Sequence, residues 1–457
     1  MKRLSPGWAV GLLALIALAL RLYRLEEGLW LDEIYTWVRF MGLPLHVIPT
    51  VYGSENQHFL FSLLAKLSLM IFGNSVWAFR LPAVLLGVAS IVAVYLFGKE
   101  VASEKEGLLS AALLTFSYHH IWFSQNARGY TGLLFWTMMT SWLLLRAMRE
   151  RRNALWIAYA VSAALGVYTQ ATIAFVLIAH AVIAARDAWS RREWRGPALG
   201  MGLGALLALL LHLPALPEIL HGLKATNSVV AEWKNPVWTV TELAAGLRVG
   251  FLGSIAALAA SGLFLAGAVS FLKARPTVVA LLVFPPAVGV TCLLALGHHI
   301  WPRFFFFSFG FAALIAIRGA LLFGKAGMPL AVAMIALSAA SVPFAYGPKQ
   351  DYNSAYRFIR EHRLAGDAVA TAGLTSWVYG RYYNAGFTSV ESVAELEVLR
   401  QQATRTWLIY TLEPVFRSEF PGLYAAVQRD FKVAGNFPGT LNNGSVVVCL
   451  YGSGGGL

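Results

Sequence analysis

Charged residues are scarce in this sequence, and their scarcity excludes an ordinary soluble protein. They make up 13% of the 457 residues, whereas soluble domains average roughly 25%. Cysteine is nearly absent as well. Cys292 and Cys449 lie in very different settings, so neither a zinc-ligand spacing nor a disulfide framework follows from them. The chain is instead 58% hydrophobic, with a mean hydropathy of +0.62, which is typical of a membrane protein.

Apolar runs long enough to cross a bilayer, about 17–25 residues, recur along the chain. We predict about eleven transmembrane helices, at residues 7–24, 79–98, 107–124, 129–147, 154–170, 171–187, 197–216, 250–272, 277–297, 301–321 and 327–346. The first run would also fit a signal peptide, because Lys2 and Arg3 precede it and small residues lie near its end. Its extension to Leu25 and the many runs that follow favour an uncleaved helix.

The basic residues follow the orientation rule of membrane proteins. The net charge of +13 comes largely from alternate short loops such as 146–152 and 186–195, which marks those loops as cytoplasmic. A nucleic-acid partner is therefore not needed to explain the charge. The pattern predicts a multi-pass membrane protein with a cytoplasmic N-terminus and an extracytoplasmic C-terminal domain.

The predicted domains are a transmembrane catalytic domain, residues 1–347, and an extracytoplasmic α/β domain, residues 348–457. The first outer loop, residues 25–78, is long and contains the apolar stretch 59–73, which is too short to span and is interrupted by Lys66. We predict that this stretch, like residues 236–249, forms a helix lying in the membrane interface.

The C-terminal region alternates helical and strand patterns. A helix is predicted over residues 351–363, and another after a capping box formed by Ser392 and Glu395. Strands are predicted in three segments: residues 366–373, 406–412 and 442–451. No phosphate-binding glycine loop occurs here, so a separate nucleotide site is not expected.

Two adjacent acids, Asp32 and Glu33, lie where the chain leaves the first apolar run, in the sequence "LEEGLWLDEIYTWVRF". Carboxylates at a membrane boundary carry a desolvation cost unless they are paired or functional. One alternative is structural, with an acid capping a helix or pairing with Arg24 or Arg39. The functional hypothesis makes one carboxylate a general base that deprotonates an attacking hydroxyl, while the other orients the acceptor or helps to bind a metal.

A base that activates a hydroxyl is not enough for a group transfer, because the leaving group also needs a partner. Arginines predicted to lie at the extracytoplasmic face are the candidates, since the planar guanidinium presents several N–H donors to the oxygens of a phosphate leaving group. Arg128, in "SQNARGY", is the first candidate, and Gln125, Asn126 and Tyr130 add hydrogen-bonding groups around it. The further candidates are Arg303, in "HHIWPRF", and Arg80. Each arginine could instead be an interfacial anchor at a helix end.

Histidines also collect near the outer face, at His58 and in the pairs 119–120 and 298–299. Adjacent histidines do not both reach one ion from a regular helix, and no spacing matches a known zinc site. We therefore predict no metal ligands, with interfacial histidines as the main interpretation, and keep His58 as a candidate substrate-binding residue. No cofactor is firmly implied, and a divalent metal is kept as an alternative.

The segments that contain these residues resemble a known family. "LRLYRLEEGLWLDEIYT", "NQHFLFSLLAKLSLMIFGNSVWAFRLPAVLLGVASI", "FSQNARGYTGLLFW" and "HHIWPRFFFFSFGFAALIA" resemble the bacterial branch of the GT-C glycosyltransferases. That branch is similar to protein O-mannosyltransferases and to aminoarabinose and galacturonic acid transferases. The resemblance covers most of the membrane region and is most specific in the first 130 residues or so.

The resemblance implies a polytopic α-helical GT-C-like fold and a polyprenyl-phosphate sugar as donor. The acceptor would be a glycan, lipid or protein hydroxyl outside the cytoplasm, and transfer would invert the sugar carbon. It also implies Asp32 as the base, Glu33 as its neighbour in acceptor binding, and Arg128, then Arg303, at the donor phosphate. Many relatives have His-Pro-Pro-Leu-Tyr where this chain has Gln57-His58-Phe59-Leu60-Phe61, so the shape of that loop differs here.

Two other functions are compatible with the composition. A transporter or flippase for a lipid-linked anionic sugar would show inverted repeats and mid-span charges, whereas the unusual polar residues here lie at one end of the spans. A non-catalytic polysaccharide-assembly protein would not depend on Asp32.

Overall fold

The computed structural model describes residues 6–225 and 230–452. Within those residues the chain forms two compact units. The first contains the described residues of Met1–Leu25, Leu43–Asn227 and Glu232–Tyr346, and the second contains those of Glu26–Gly42, Ser228–Ala231 and Gly347–Leu457. The second unit therefore combines the C-terminal region with the segment that carries Asp32 and Glu33, a combination that the sequence analysis did not anticipate.

Helices dominate the chain up to residue 346. They are α1 (Pro6–Leu22), α2 (Leu31–Thr36), α3 (Phe59–Phe72), α4 (Val76–Val101), α5 (Glu104–Thr115), α6 (Tyr118–Ser124), α7 (Tyr130–Glu150), α8 (Asn153–Thr169), α9 (Ile173–Arg191), α10 (Arg195–His212), α11 (Leu216–Ala225), α12 (Pro236–Gly250), α13 (Ser254–Ala274), α14 (Pro276–Ala295), α15 (Phe309–Leu321) and α16 (Gly327–Ser341). The predicted helical membrane-protein fold is confirmed.

Among the described residues, seven helices are long and apolar enough to cross a membrane. They are Val76–Val101, Ile173–Arg191, Arg195–Gly222, Ser254–Ala274, Pro276–Ala295, Pro302–Leu321 and Gly324–Tyr346. Three further apolar helices are shorter: Gly7–Leu22, Phe59–Phe72 and Asn153–Thr169. Helices thus occupy the predicted runs, and the count of eleven spans stays a prediction.

Close helix packing in the first unit depends on glycine. A Cβ atom on Gly267 of α13 would lie 1.9 Å from the carbonyl oxygen of Ile315 in α15, and one on Gly319 of α15 would lie 1.7 Å from the carbonyl oxygen of Leu263. These backbones approach too closely for any side chain, which is the usual way for small residues to join helices in membranes.

The predicted span 107–124 is wrong as a single helix, because the chain breaks between α5 and α6 at Phe116 and Ser117. The break leaves carbonyl groups at the end of α5 without helical partners. The guanidinium of the fully buried Arg21, in α1, lies at this break. Its five donors contact the carbonyl oxygens of Ala17, Leu114 and Thr115, the hydroxyl of Ser124 and Nδ1 of His120, at 2.7–3.2 Å.

The same contacts fix the state of His120. Because its Nδ1 accepts from Arg21, the neutral ring carries its proton on Nε2, which lies 2.8 Å from the hydroxyl of Ser90. Ser90 in turn donates to the carbonyl oxygen of Gly87. His120, which the sequence left as an interfacial histidine, is thus a buried link between α1, α4 and α6.

The second unit contains a five-stranded sheet and small helices. The strands are β1 (Ala368–Ala372), β2 (Thr388–Val390), β3 (Thr406–Thr411), β4 (Lys432–Phe437) and β5 (Val446–Tyr451), in the order β2-β1-β3-β5-β4. β1 is parallel to β2 and β3, and β5 is antiparallel to β3 and β4. The helices are α17 (Tyr352–His362), α18 (Leu374–Trp377), α19 (Val393–Gln401), α20 (Glu413–Glu419) and α21 (Pro421–Asp430). The predicted C-terminal α/β domain is confirmed.

The start of β1 is joined to β3 by a buried carboxylate. Asp367 accepts hydrogen bonds from Arg405 at 3.0 and 2.6 Å, from the indole of Trp407 at 2.9 Å and from the backbone N–H of Leu364 at 2.9 Å. Burial alone would raise the pKa of Asp367, but these donors lower it to about 2. A group whose pKa is lowered by folding stabilises the folded state above its unfolded pKa of about 4.

Replacing this carboxylate by an amide gives the first prediction. We expect Asp367→Asn to lower the free energy of unfolding by about 2–3 kcal/mol at neutral pH, because the donors lose a charged acceptor. The difference from the wild type should persist down to about pH 4 and shrink as the pH falls towards about 2. Thermal melts of the purified chain test this, with Glu361→Gln, at an exposed position of α17, as the control. A difference that does not change with pH would refute the linkage.

The second prediction concerns the break between α5 and α6. Arg21→Met leaves the carbonyl group of Thr115 buried without its donor, at roughly 1–3 kcal/mol, whereas the carbonyl oxygen of Leu114 keeps the backbone N–H of Ser117 at 3.2 Å. We expect a lower melting temperature in detergent, an intermediate value for Arg21→Lys, which supplies fewer donors, and no change for the exposed Arg152→Met. A melting temperature that Arg21→Met leaves unchanged would show that water satisfies this carbonyl.

Candidate active site

The acid pair lies in the first turn of α2, in the second unit. Both side chains are buried, with 7% of Asp32 and none of Glu33 exposed. Oε2 of Glu33 accepts a hydrogen bond at 3.3 Å from the backbone N–H of Trp30, the N-cap residue of α2. The hydroxyl of Thr36 donates to the carbonyl oxygen of Asp32 at 2.9 Å. Glu33 therefore has a structural role in starting the helix, and its predicted contact with the acceptor stays a prediction.

Arg128 is 97% buried in the first unit and holds the loop before α3. Its Nη1 donates to the carbonyl oxygen of Asn56 at 2.5 Å, and its Nη2 donates to Oδ1 of the same residue at 2.9 Å. Nη2 also lies 3.1 Å from Nε2 of His58. The structure therefore brings together two predicted site residues, Arg128 and His58, although 70 positions separate them.

The contact between Arg128 and His58 joins two donors. Nδ1 of His58 accepts from the backbone N–H of Gly129 at 2.7 Å, so the proton of the neutral ring lies on Nε2, facing the guanidinium. Burial and then the charges of Arg128 and Arg303 lower the pKa of His58 well below its usual value, which keeps the ring neutral. Because the guanidinium of Arg128 and Nε2 of His58 both donate, this arrangement favours an anionic oxygen beside them that accepts a hydrogen bond from each.

Glycine is required at position 129 because His58 and α8 approach its backbone. A Cβ atom there would lie 2.5 Å from Nδ1 of His58 and 2.9 Å from the carbonyl oxygen of Thr169. Tyr130, another predicted site residue, packs its ring edge against the His58 ring, with centroids 5.5 Å apart. The three consecutive residues Arg128, Gly129 and Tyr130 thus supply a guanidinium, a position without a side chain and an aromatic ring that packs against His58.

Gln125 and Asn126 form hydrogen bonds with backbone of the same unit. The amide of Gln125 donates to the carbonyl oxygens of Arg21 and Tyr23 at 3.1 and 2.6 Å, and so caps the end of α1. Asn126 is fully buried, and its carbonyl oxygen accepts from the backbone N–H of Arg128 at 2.6 Å. Both residues support the loop that carries Arg128, and their contact with substrate stays a prediction.

Arg80 is also a structural anchor. It is 2% exposed and donates from Nη1 to the carbonyl oxygen of Leu25 at 2.9 Å, which joins α4 to the end of the first apolar run. Its predicted role at the donor phosphate stays a prediction.

Arg303 belongs to a second polar group of the first unit. Its guanidinium lies over the ring of Trp301 at 4.3 Å, a cation–π contact. Glu55 lies 3.2 Å from Nδ1 of His298 and 3.9 Å from Nε2 of His299. Burial raises the pKa of Glu55, although His298 and Arg303 act in the opposite direction. Burial and nearby cationic groups lower the pKa of His299 to about 3.

From the polar run Glu55 to His58, the sequence analysis assigned a role only to the histidine. The structure adds Asn56, which accepts both bonds from Arg128, and Glu55, which lies beside the histidine pair. The adjacent polar residues in an otherwise apolar loop were the available signal. In the part of the chain that the structure describes, no group of three or more His, Cys, Asp or Glu side chains could hold a metal ion, and the metal question stays untested.

Comparisons with known proteins agree with this architecture. Residues 56–217 match the model of the family described as dolichyl-phosphate-mannose-protein mannosyltransferase. A search of curated proteins gave no match.

Solved structures share the fold at low sequence identity. ArnT from Cupriavidus metallidurans, bound to undecaprenyl phosphate, is 12% identical over 98% of both chains, with a TM-score of 0.55. The Archaeoglobus fulgidus oligosaccharyltransferase, in complex with zinc and sulfate, is 13% identical over 94% of this chain and 72% of its own, with a TM-score of 0.56. AglB from the same organism, in complex with an inhibitory peptide and a dolichol-phosphate, is 13% identical over the same shares, with a TM-score of 0.51.

The resemblance inferred from the sequence is thereby confirmed. The chain shares its fold with these solved structures and, over residues 56–217, matches the sequence pattern of the dolichyl-phosphate-mannose-protein mannosyltransferase family.

Proposed function

We propose that the protein is an integral-membrane glycosyltransferase that moves a sugar from a polyprenyl-phosphate donor to an acceptor hydroxyl outside the cytoplasm. The observation that carries this proposal is the buried pair of donors formed by Arg128 and His58. A phosphate oxygen would accept from both, which matches the leaving group of such a donor. Related folds bind the same chemistry, since ArnT binds undecaprenyl phosphate and AglB binds a dolichol-phosphate.

In the proposed reaction the acceptor oxygen attacks the anomeric carbon while the bond from that carbon to the phosphate oxygen breaks. The carboxylate of Asp32 takes the hydroxyl proton as general base. The electron pair of the broken bond stays on the polyprenyl phosphate, whose added negative charge Arg128 stabilises. A single displacement inverts the configuration of the sugar carbon. No nucleotide is required, because the lipid carries the activated sugar through the membrane.

An outward orientation supports this chemistry. The basic loops place the N-terminus in the cytoplasm by the charge rule, and nucleotide sugars are not supplied on the opposite face. A donor attached to a membrane lipid is suited to an active site on that face. The acceptor would then be a glycan, lipid or protein of the cell envelope, and the residence of the protein would be the bacterial inner membrane.

The third prediction tests the base. Asp32→Asn keeps the size of the side chain but removes its ability to take a proton, so we expect transfer to fall by about 10²–10⁴-fold. The measurement is a mass comparison of cell-envelope glycans from cells that lack the chain and are supplied with either form. Glu26→Gln, at an exposed position of the same segment, serves as the matched control. Wild-type glycan levels with a normally expressed Asp32→Asn protein would eliminate the proposed base.

The fourth prediction tests the phosphate site. Arg128→Ala removes the guanidinium, and we expect the affinity for undecaprenyl phosphate to fall by about tenfold or more, the worth of one charged hydrogen bond. Binding of undecaprenol, which has no phosphate, should not change. Arg128→Lys should keep part of the affinity and checks that the loop still folds. Equal affinities of the wild type and Arg128→Ala for undecaprenyl phosphate would dismiss this role.

A further inference from the structure

The helix that carries Asp32 is attached to the C-terminal region of the chain, at its beginning. Leu31, the first residue of α2, donates its backbone N–H to Oε1 of Gln350 at 3.0 Å. The two positions are 319 apart in sequence and belong to the same compact unit. The first N–H groups of a helix have no partner inside the helix, so Gln350 satisfies a donor that α2 itself cannot.

Gln350 is itself held in one orientation. It is 1% exposed, and its Nε2 donates to the hydroxyl of Thr411 at 3.1 Å. Thr411, the last residue of β3, donates onward to the carbonyl oxygen of Ser445 at 3.0 Å. Because one end of an amide accepts and the other donates, this chain of bonds fixes which end of Gln350 faces Leu31.

Tyr352 completes the surroundings of the acid. It is 1% exposed, and its carbonyl oxygen accepts from the hydroxyl of Tyr379 at 3.1 Å. Burial raises the pKa of Tyr352, contact with Thr411 lowers it, and the negative charge of Asp32 raises it again. The hydroxyl therefore keeps its proton at neutral pH, in the electric field of the Asp32 carboxylate.

The flanks of α2 contact the same unit. A Cβ atom on Gly28 would lie 2.6 Å from Nδ2 of Asn353, so the backbone before the helix packs directly on α17. After the acid pair, Tyr35 lies beside Trp377 of α18, with 5.8 Å between their ring centroids. The segment 28–35 is thus held at both ends and at its first helical N–H.

From these contacts we propose that Gln350 is a positioning residue for Asp32, and that the C-terminal domain sets the place of the base. The inference rests on the proposed function, in which Asp32 deprotonates the acceptor. Asp32 directly follows Leu31, so a shift of the first turn moves the carboxylate with it. A displacement of about 1 Å at a reacting group can cost about 100-fold in rate.

The test uses the full chain in detergent and measures the position of α2 separately from catalysis. Gln350→Met keeps the volume but removes the acceptor of Leu31 and the donor to Thr411. Hydrogen–deuterium exchange of the segment Leu31–Thr36 should become faster by about tenfold, as expected for losing one hydrogen bond of about 1–1.5 kcal/mol. Transfer should fall by about 10–100-fold, while the affinity for undecaprenyl phosphate stays unchanged.

Two further variants make the result specific. Gln350→Glu retains an acceptor oxygen for Leu31, and we expect it to recover most of the protection and much of the transfer. Gln401→Met, at an exposed position of α19, should change neither. If Gln350→Met does not fold, Thr411→Val, which removes the anchor of the Gln350 amide together with the bond from Thr411 to Ser445, is measured in the same way and judged by the same outcomes.

The outcomes separate this inference from the proposed function. Wild-type exchange of Leu31–Thr36 in the folded variant would overturn the inference, and so would faster exchange with unchanged transfer. A loss of undecaprenyl phosphate affinity equal to the loss of transfer would indicate general damage and would also overturn it. Full transfer by Asp32→Asn would instead overturn the proposed function, whatever the exchange data show.

Discussion

Burying a charge or a polar group in an apolar chain requires a partner for each donor and acceptor. At three places the structure meets this requirement with contacts between distant parts of the sequence. Arg21 lies at the break between two helices, Arg128 donates to Asn56, and Asp367 joins two strands. In each case one charged side chain binds backbone at the end of a helix or in a loop. The candidate site differs at one point, where two donors of Arg128 and His58 face each other.

The groups around each arginine distinguish its structural role from a proposed role in binding. Arg21 has five neutral acceptors for five donors, so it has no capacity left for a ligand. Arg128 lies against a ring nitrogen that carries a proton, and this contact improves when an anion accepts from both groups. The same residue type therefore stabilises the fold in α1 and, after α6, forms the proposed phosphate site, and the groups around each guanidinium distinguish the two roles.

The sequence predicted what depends on local pattern. Long apolar runs located the helices of the first unit, and short apolar runs next to turn residues located β1, β3 and β5, which are largely buried. The short strand β2 and the half-exposed β4 lack such a run. The break after Thr115 was also missed, because the side chain that stabilises it arrives from Arg21, more than 90 positions away. Asp32, Arg128 and His58 were found individually as polar residues in apolar surroundings, whereas Asn56 and Gln350 acquire their importance only from long-range bonds.

The bond from Leu31 to Gln350 also has a consequence for biosynthesis. Leu31 is translated early, and the side chain that completes the first turn of its helix follows 319 residues later. A nascent chain that has inserted all its apolar helices still lacks this bond until the C-terminal residues emerge. The first turn of α2 therefore obtains this partner only after residue 350 has been made, so a product truncated before Gln350 would lack the bond that holds the helix of Asp32 to the C-terminal region.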